Sequence, residues 1–462
     1  MAKLFGTDGV RGQAGSVLTA ELAMKLGQAA GRVFLEENGG KTGVIIVGRD
    51  TRISGQMLEC ALTAGLTSVG IQVISAGVVP TPAVAFLVRK FKALAGAVIS
   101  ASHNPFEDNG IKFFSASGSK LRDDQEAAIE AALQGEVEIT EASGRNIGRY
   151  AQVAEAIDAY TDYLDELMSV NGRDYHIVVD CANGAASYIA EKVFTRANFN
   201  VTMIGDRPNG TNINVNCGST HLAQLQQRVL EEGADAGLAF DGDADRFLAV
   251  DEKGRIVDGD RLMAIYALAM KEEGRLAENK LVVTVMSNLG LKLAMRDAQI
   301  DLVETGVGDR YVNEGMQKTG AVIGGEQSGH IIFREYNSTG DGMISAIMLL
   351  NIMNHKRLPL SELADQAMTS LPQVLVNVRV RDKHGWQDVA AIRDAIAAAE
   401  AQLGEDGRVL VRASGTEQLL RVMVEGKDQA EIEQLANAIA DVVREAIGAY
   451  EHPRYRRRCG RP

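Results

Sequence analysis

Along the chain, an apolar run of strand length, a short polar loop and a helical pattern recur three times. The first is Val44–Val47, Gly48-Arg49-Asp50 and Gln56–Gly65. The second is Ile177–Asp180, Ala182-Asn183-Gly184 and Tyr188–Ala197, and the third Leu281–Val285, Ser287-Asn288-Leu289-Gly290 and Leu291–Asp297. Unbroken Val/Ile/Leu runs with helices between them predict parallel strands covered on both faces. Each unit holds a further strand that runs into an unusual loop: Gly96–Ile99 into Ser100-Ala101-Ser102-His103-Asn104-Pro105, Gly237–Phe240 into Asp241-Gly242-Asp243-Ala244-Asp245-Arg246, and Ala321–Ile323 into Gly324-Gly325-Glu326-Gln327-Ser328-Gly329-His330. Ligands of open α/β sheets bind at the carboxyl ends of strands, so three such domains would offer one loop each to a shared cleft. From about Leu371 the order changes. Val374–Val380, Arg408–Arg412 and Leu419–Glu425 read as strands, and Asp388–Leu403 and Ala430–Tyr450 as helices, a smaller antiparallel sheet with helices on one side. The expected fold class is α/β: three similar mixed or parallel α/β domains around a cleft (1–151, 152–254, 255–367), then a C-terminal α+β domain (368–450) and a basic tail (451–462) read as disordered.

Length agrees, since 462 residues exceed what one core serves and call for about three or four domains. A formal charge of −13 argues against nucleic acid, whose binding rests on Lys and Arg, and requires local basic clusters for any anionic substrate. The longest apolar runs, such as Met343–Met353, are too short to span a bilayer, and MAKLFGTDGVRG has no apolar leader segment. A cytoplasmic protein without membrane contact is expected. Cys60, Cys181, Cys217 and Cys459 are scattered, which favours reduced thiols over a disulfide framework. The run Arg454–Arg461 reads as a solvated tail and is given no function.

The candidate chemistry lies in the loops. Ser102 precedes a turn, His103-Asn104-Pro105, that cannot continue the strand and can present a hydroxyl. Alone, such a serine fits a turn residue satisfied by backbone better than a nucleophile, and no GxSxG accompanies it. Lys112 could return a positive charge to the same place or be an ordinary surface lysine. Asp241, Asp243 and Asp245 put three carboxylates in five residues. At about 4 Å, each pair repels by about 4 kcal/mol at an effective dielectric near 20. A hard divalent cation removes that conflict, and oxygen-only ligation points to Mg2+. An EF-hand is excluded: Glu252 has the right spacing, but Arg246 stands where glycine is needed and a strand precedes the loop. Glu326, Ser328 and His330 suit either sugar hydroxyls or a structural turn. Arg412, Ser414, Gly415 and Thr416, with Arg421 beyond, combine guanidinium groups, hydroxyls and exposed backbone N–H as in a phosphate cradle.

In this order, the four motifs Ser100–Pro105, Asp241–Arg246, Gly325–His330 and Arg412–Thr416 resemble those of the α-D-phosphohexomutase family over about residues 1–448. Phe5-Gly6-Thr7-Asp8-Gly9-Val10-Arg11-Gly12 and Gln327 resemble its hexosamine-phosphate branch. The resemblance implies that Ser102 carries a phosphoryl group, with Asp241, Asp243, Asp245 and the Ser102 phosphate binding one Mg2+. It places Arg11, Lys112 and Arg246 beside the phosphoserine, and His330 in proton transfer. It assigns Glu326 and Ser328 to the sugar, and Arg412, Ser414, Gly415, Thr416 and Arg421 to the phosphate that stays in place. The implied reaction interconverts glucosamine 6-phosphate and glucosamine 1-phosphate through a sugar 1,6-bisphosphate, which also primes the enzyme. It implies closure of the last domain over the cleft and admits a homodimer. The alternatives are a phosphomannomutase or phosphoglucomutase of the same fold, a phosphatase that depends on a phosphoserine of its own and a metal, and a catalytically silent sugar-phosphate sensor. Gln418 departs from the family pattern, where proline is expected; the change would loosen the turn.

Overall fold

The computed structural model describes residues 4–6, 8–153, 155–414 and 417–448. Thr7, Gly415, Thr416 and the tail 451–462 lie outside the described residues. The chain divides into two compact units, one of Met1–Ser287 with Ala294–Met368, the other of Asn288–Leu293 with Thr369 onward.

The first unit contains three sheets. The first is built from β1 (Val10–Gln13), β2 (Val44–Arg49), β3 (Gln72–Val78), β4 (Ala95–Ile99), β5 (Asp108–Ser115) and β6 (Tyr150–Gln152), ordered β1-β5-β4-β2-β3-β6. The second holds β7 (His176–Asp180), β8 (Asn200–Ile204), β9 (Ala236–Phe240), β10 (Phe247–Asp251) and β11 (Ile256–Val257), ordered β11-β10-β9-β7-β8. The third holds β12 (Lys280–Thr284), β13 (Asp301–Thr305), β14 (Ile323–Gly325) and β15 (Ile331–Phe333), ordered β13-β12-β14-β15. The second unit carries β16 (Gln373–Arg379), β17 (Arg408–Ala413) and β18 (Leu419–Glu425), all antiparallel in the order β16-β18-β17, with helices Ala390–Leu403 and Gln429–Ile447 packed on them.

The three sheets share a rule that the apolar pattern only half revealed. In each, the strand entering an unusual loop (β4, β9, β14) pairs in parallel with the opening strand of its repeat (β2, β7, β12). The chain then returns through the loop into an antiparallel neighbour (β5, β10, β15). Each loop is therefore the turn of a hairpin at a strand's carboxyl end, held at both stems. The sheets are mixed rather than parallel throughout.

Two local readings shift. The strand expected at Ala321–Ile323 is Ile323–Gly325, because Gly324 and Gly325 look like loop yet lie in the sheet; a Cβ on Gly324 would stand 2.8 Å from Val282 O. The helix expected from Tyr188 starts at Ala190, after a 3-10 turn at Ala185–Tyr188.

Side-chain caps set several helix starts: Thr19 accepts from Leu22 N, Asp258 from Arg261 N, Asp341 from Ile344 N and Asp428 from Glu431 N. Helices Ala20–Glu37 and Gly55–Ser68 meet through Gly65, where a Cβ would lie 2.0 Å from Met24 O. The apolar run Met343–Met353 forms a largely buried helix, Gly342–Lys356. Among the described residues, no helix is long and apolar enough to cross a membrane.

Candidate active site

Ser102 follows the wholly buried β4 and sits at φ +52°, a left-handed conformation unusual for serine. Its N–H donates to Ser100 Oγ (2.9 Å), which itself donates to Asp50 Oδ2 (2.6 Å). The Ser102 hydroxyl donates to Asp241 Oδ2 at 2.6 Å, across 139 positions of sequence, and lies 3.3 Å from His103 Nδ1. Burial, with Arg246 and Arg11 nearby, pushes His103 down to about 4, so its ring is neutral at pH 7. The Ser102 loop and the acidic loop thus meet, as the spacing alone could not establish.

Asp241, Asp243 and Asp245 are all buried, each offering an oxygen within 4.8 Å of the others. Burial and the two neighbouring carboxylates raise Asp241 well above the usual carboxylate range. Asp243 Oδ2 accepts from Thr81 Oγ1 (2.6 Å) and Lys112 Nζ (3.1 Å), while Asp243 Oδ1 and Asp245 Oδ1 are buried with no hydrogen-bond partner. Unpaired buried carboxylate oxygens are costly, and an all-oxygen set is what a hard divalent cation takes. The residues present therefore fit a metal ion. Glu252 is not part of this set; it accepts from Ser361 N, at 3.1 Å, which agrees with rejecting the EF-hand.

Lys112 is only 3% exposed, lying 3.1 Å from Asp243, 3.2 Å from Asp8 and 3.9 Å from Asp245. Burial opposes its charge, but these carboxylates hold its pKa above the ordinary value. Arg11 pairs with Asp8, and the Arg246 N–H donates to Asp241 Oδ1 at 3.2 Å. Sequence reading missed Asp8, Lys120 and Asp309. Lys120 Nζ bridges Asp8 Oδ1 (2.6 Å) and Asp309 Oδ2 (2.8 Å), extending the alternation of charge from the acidic loop toward His330. Single charges at positions 120 and 309 carry no local signal, though Asp8 lies inside a quoted motif.

In the third loop, Glu326 Oε1 accepts from Gly308 N (2.9 Å), and Ser328 Oγ is buried without a partner. His330 is buried, with Nδ1 3.6 Å from Asp245 and Nε2 3.7 Å from Asp309. Burial would lower its pKa, but Asp245, then Asp309 and Glu326, raise it to about 9. Gly340 N–H points at Nε2 (3.2 Å), a contact that only the neutral ring accepts. Two opposing preferences on one imidazole suit a group that exchanges protons.

In the second unit, Arg412 and Arg421 face each other across β17 and β18, each with a buried Nε lacking a partner. Burial, then Arg421, lowers the Arg412 pKa. Lys383 Nζ donates to Ser414 O (2.7 Å), and Ser414 Oγ accepts from Glu417 N (3.2 Å). Lys383 was not singled out from sequence. Gln418 Nε2 donates to Arg381 O (3.1 Å), a tie that proline could not make.

Three mixed sheets, each with a polar hairpin loop at a strand's carboxyl end, and an α+β unit with an arginine pair make up a multidomain α/β protein. The chain belongs to the phosphoglucomutase/phosphomannomutase family: alpha/beta/alpha domain I matches residues 2–139, domain II 158–254, domain III 258–371 and the C-terminal domain 375–442. It is 51% identical to the phosphoglucosamine mutase of Shouchella clausii, over 97% of this chain and 100% of the relative. It is 54% identical to that of Carboxydothermus hydrogenoformans, over 96% and 99%. It is accordingly an isomerase of the phosphotransferase-mutase kind. Among solved structures, a Burkholderia thailandensis phosphoglucomutase/phosphomannomutase family protein superposes with a TM-score of 0.79 at 24% identity, over 96% of this chain and 97% of that one. An Aspergillus fumigatus N-acetylphosphoglucosamine mutase, solved with GlcNAc-6P and magnesium, gives 0.70 at 18%, over 96% of each; both likenesses concern the fold.

Proposed function

We propose that the chain interconverts glucosamine 6-phosphate and glucosamine 1-phosphate in the cytoplasm, with Ser102 as the residue that carries the phosphoryl group. The observation that carries this reading is the Ser102 hydroxyl 2.6 Å from Asp241, beside two buried carboxylate oxygens without partners. The names of the relatives at about half identity support the amino sugar as substrate.

Asp241, Asp243 and Asp245 would hold Mg2+ together with the Ser102 phosphate; such an ion, when bound, neutralises charge on phosphoryl oxygens. Around Ser102, Lys112, Arg11 and Arg246 offset the negative charge of the transferred group, where most phosphoryl-transfer catalysis lies. Glu326 and Ser328 accept from and donate to sugar hydroxyls. Arg412, Ser414, Gly415, Thr416 and Arg421 bind the phosphate that is not moving, and the two unpartnered Nε atoms support that role. The Ser102 phosphoryl group passes to the sugar O1, and a lysine or histidine, Lys112 or His330, manages the proton that O1 gives up. The resulting 1,6-bisphosphate re-docks reversed and returns its 6-phosphoryl group to Ser102, so phosphate is conserved. An external 1,6-bisphosphate primes an unphosphorylated enzyme in the same way.

The test is isomerisation of glucosamine 6-phosphate with a 1,6-bisphosphate primer, with and without EDTA, beside glucose and mannose phosphates. Glucosamine 1-phosphate formed preferentially and lost with EDTA is expected. Faster turnover of another hexose would change the substrate, and release of inorganic phosphate without isomer would overturn the mutase reading.

A further inference from the structure

The nucleophile loop is held by a residue that takes no part in the chemistry above. Arg52 follows β2 and is 1% exposed, so its guanidinium is inside the protein. All five of its side-chain N–H groups are engaged. Nε donates to Asp50 Oδ2 (2.9 Å), Nη1 to Pro105 O and to Asp108 O (3.1 Å), and Nη2 to Ser102 O (2.8 Å) and Asn104 O (2.9 Å). A second donor comes from another sheet's loop: Asn214 Nδ2 reaches Ser102 O (2.9 Å) and Asn104 O (3.2 Å). Gly242 of the acidic loop closes the remaining side, since a Cβ there would stand 2.6 Å from Ser102 O.

Both backbone groups of Ser102 therefore lead to one buried ion pair. Its N–H reaches Asp50 through Ser100 Oγ, and its C=O is held by Arg52 directly. The left-handed φ at Ser102 is unfavourable for a side chain with a Cβ and persists only where the surroundings over-determine it. Rotation about the Ser102 N–Cα bond to a negative φ would relieve that strain, turning Cβ and the carbonyl carbon together. It would also swing the carbonyl away from two donors and redirect the hydroxyl that faces Asp241. A buried pair of this kind is weak evidence for stability, because apolar groups fill the same space without desolvation. What it does supply is a fixed direction.

We infer that Arg52 and Asn214 are positioning residues for phosphoryl transfer, clamping the Ser102 carbonyl so that the hydroxyl stays aimed at the carboxylate triad. The inference rests on Ser102 as the phosphorylated group. Arg52 acts with Asp50 from the nucleophile's own domain, and Asn214 adds the neighbouring one, so the aim depends on two sheets at once. Lysine cannot replace Arg52, because one ammonium cannot span four carbonyls and a carboxylate.

The test compares Arg52→Lys and Asn214→Gly with the wild-type chain; glycine keeps the left-handed backbone at Asn214 (φ 60°) and deletes only the donor. Misaiming a reacting group costs up to about 100-fold in rate, so Arg52→Lys should lose about 100-fold in kcat and Asn214→Gly about 10-fold. The sugar-phosphate KM should stay within about twofold, because no binding group is removed. The double variant should lose less than the product of the two, since both act on one carbonyl. Intact mass should show slow loading of Ser102 from a 1,6-bisphosphate, in protein whose circular dichroism and Mg2+ affinity match wild type. Wild-type loading and kcat in folded Asn214→Gly overturn the inference, as does activity lost only in proportion to unfolded protein. Should Arg52→Lys not fold, Asn214→Gly decides alone. If the wild-type chain fails to take phosphate at Ser102 at all, the mutase reading falls first, and the two failures are told apart.

Discussion

The Ser102–Asp245 region and the Arg412–Arg421 pair both concern anions, but they treat charge in opposite ways. Around Ser102, carboxylates and cations alternate: Asp243, Lys112, Asp8, Lys120 and Asp309 form a chain of contacts between 2.6 and 3.2 Å, ending beside His330. On β17 and β18 two guanidinium groups lie side by side, and each keeps a buried donor without a partner. The first region is organised by the protein's own opposite charges, which holds donors and acceptors in place before any ligand arrives. The second has unmet donors and like-charge repulsion that an anion would relieve. On the proposed function, preorganisation suits the transferred group, whose charge changes during reaction, and an unsatisfied seat suits a phosphate that only has to bind and leave.

Four experiments would break or sharpen this contrast. The largest effect is expected for Ser102→Ala, which should cut turnover by at least about 10⁴-fold, as losses of nucleophiles do. Folding should be kept, and intact mass should show no phosphate adduct. Next, Asp243→Asn removes one carboxylate charge from the ordered region and should lower kcat by about 10²- to 10³-fold. Titration calorimetry should show weakened Mg2+ binding; an unchanged Mg2+ affinity would remove Asp243 from the metal set. Arg421→Gln should act on the other region in the other way. KM for the sugar phosphate is expected to rise by about 10-fold, as for a lost charge-assisted contact, with kcat nearly constant. Thermal stability should rise by a few tenths of a kcal/mol as the cross-strand repulsion goes.

The last experiment leaves turnover aside, reads stability only, and concerns Asp180, at the end of β7. It accepts from Ala182 N and Gly218 N, and among the described residues no cation offsets its burial. Burial raises it to about 6, so between about 4 and 6 the folded chain binds the proton that the unfolded chain has already lost. The stability this group contributes is present below about 4 and lost as pH rises to about 6, about 3 kcal/mol at most. Denaturant midpoints of wild type and Asp180→Asn across pH 4–8 should differ by that slope. Parallel curves would show that Asp180 titrates normally.

Much of the architecture was legible because it is written in short-range patterns. β2, β4, β7, β9 and β12 appear as apolar runs, since a strand buried on both faces needs a nearly continuous one, and the three strands of the second unit appear as alternating apolar patterns. The antiparallel returns were less legible. β1 is short and β15 only three residues long, and β14 contains two glycines, Gly324 approached by Val282 O and Gly325 by His330 O. Three acceptors at Asp241, Asp243 and Asp245 also announce themselves locally, because their mutual repulsion has no ordinary structural use. Arg52, Asn214, Thr81, Lys120 and Asp309 do not. Each is a common residue in an ordinary context, and its role comes from a partner far away in the chain.

By itself, then, the order of residues determined where strands end, which loops carry acceptors, donors and a hydroxyl, and the family in which these motifs occur together. Tertiary structure alone decided that Ser102 lies against Asp241 and that Arg52 and Asn214 hold its carbonyl. It also decided that Lys112, opposite Val98 in the β4–β5 pairing, is a charged interior group rather than a surface one. The physical reason is range. Hydrophobic periodicity reports burial within one element, whereas ion pairs and hydrogen bonds between loops depend on how separate sheets are packed, and no local pattern records that.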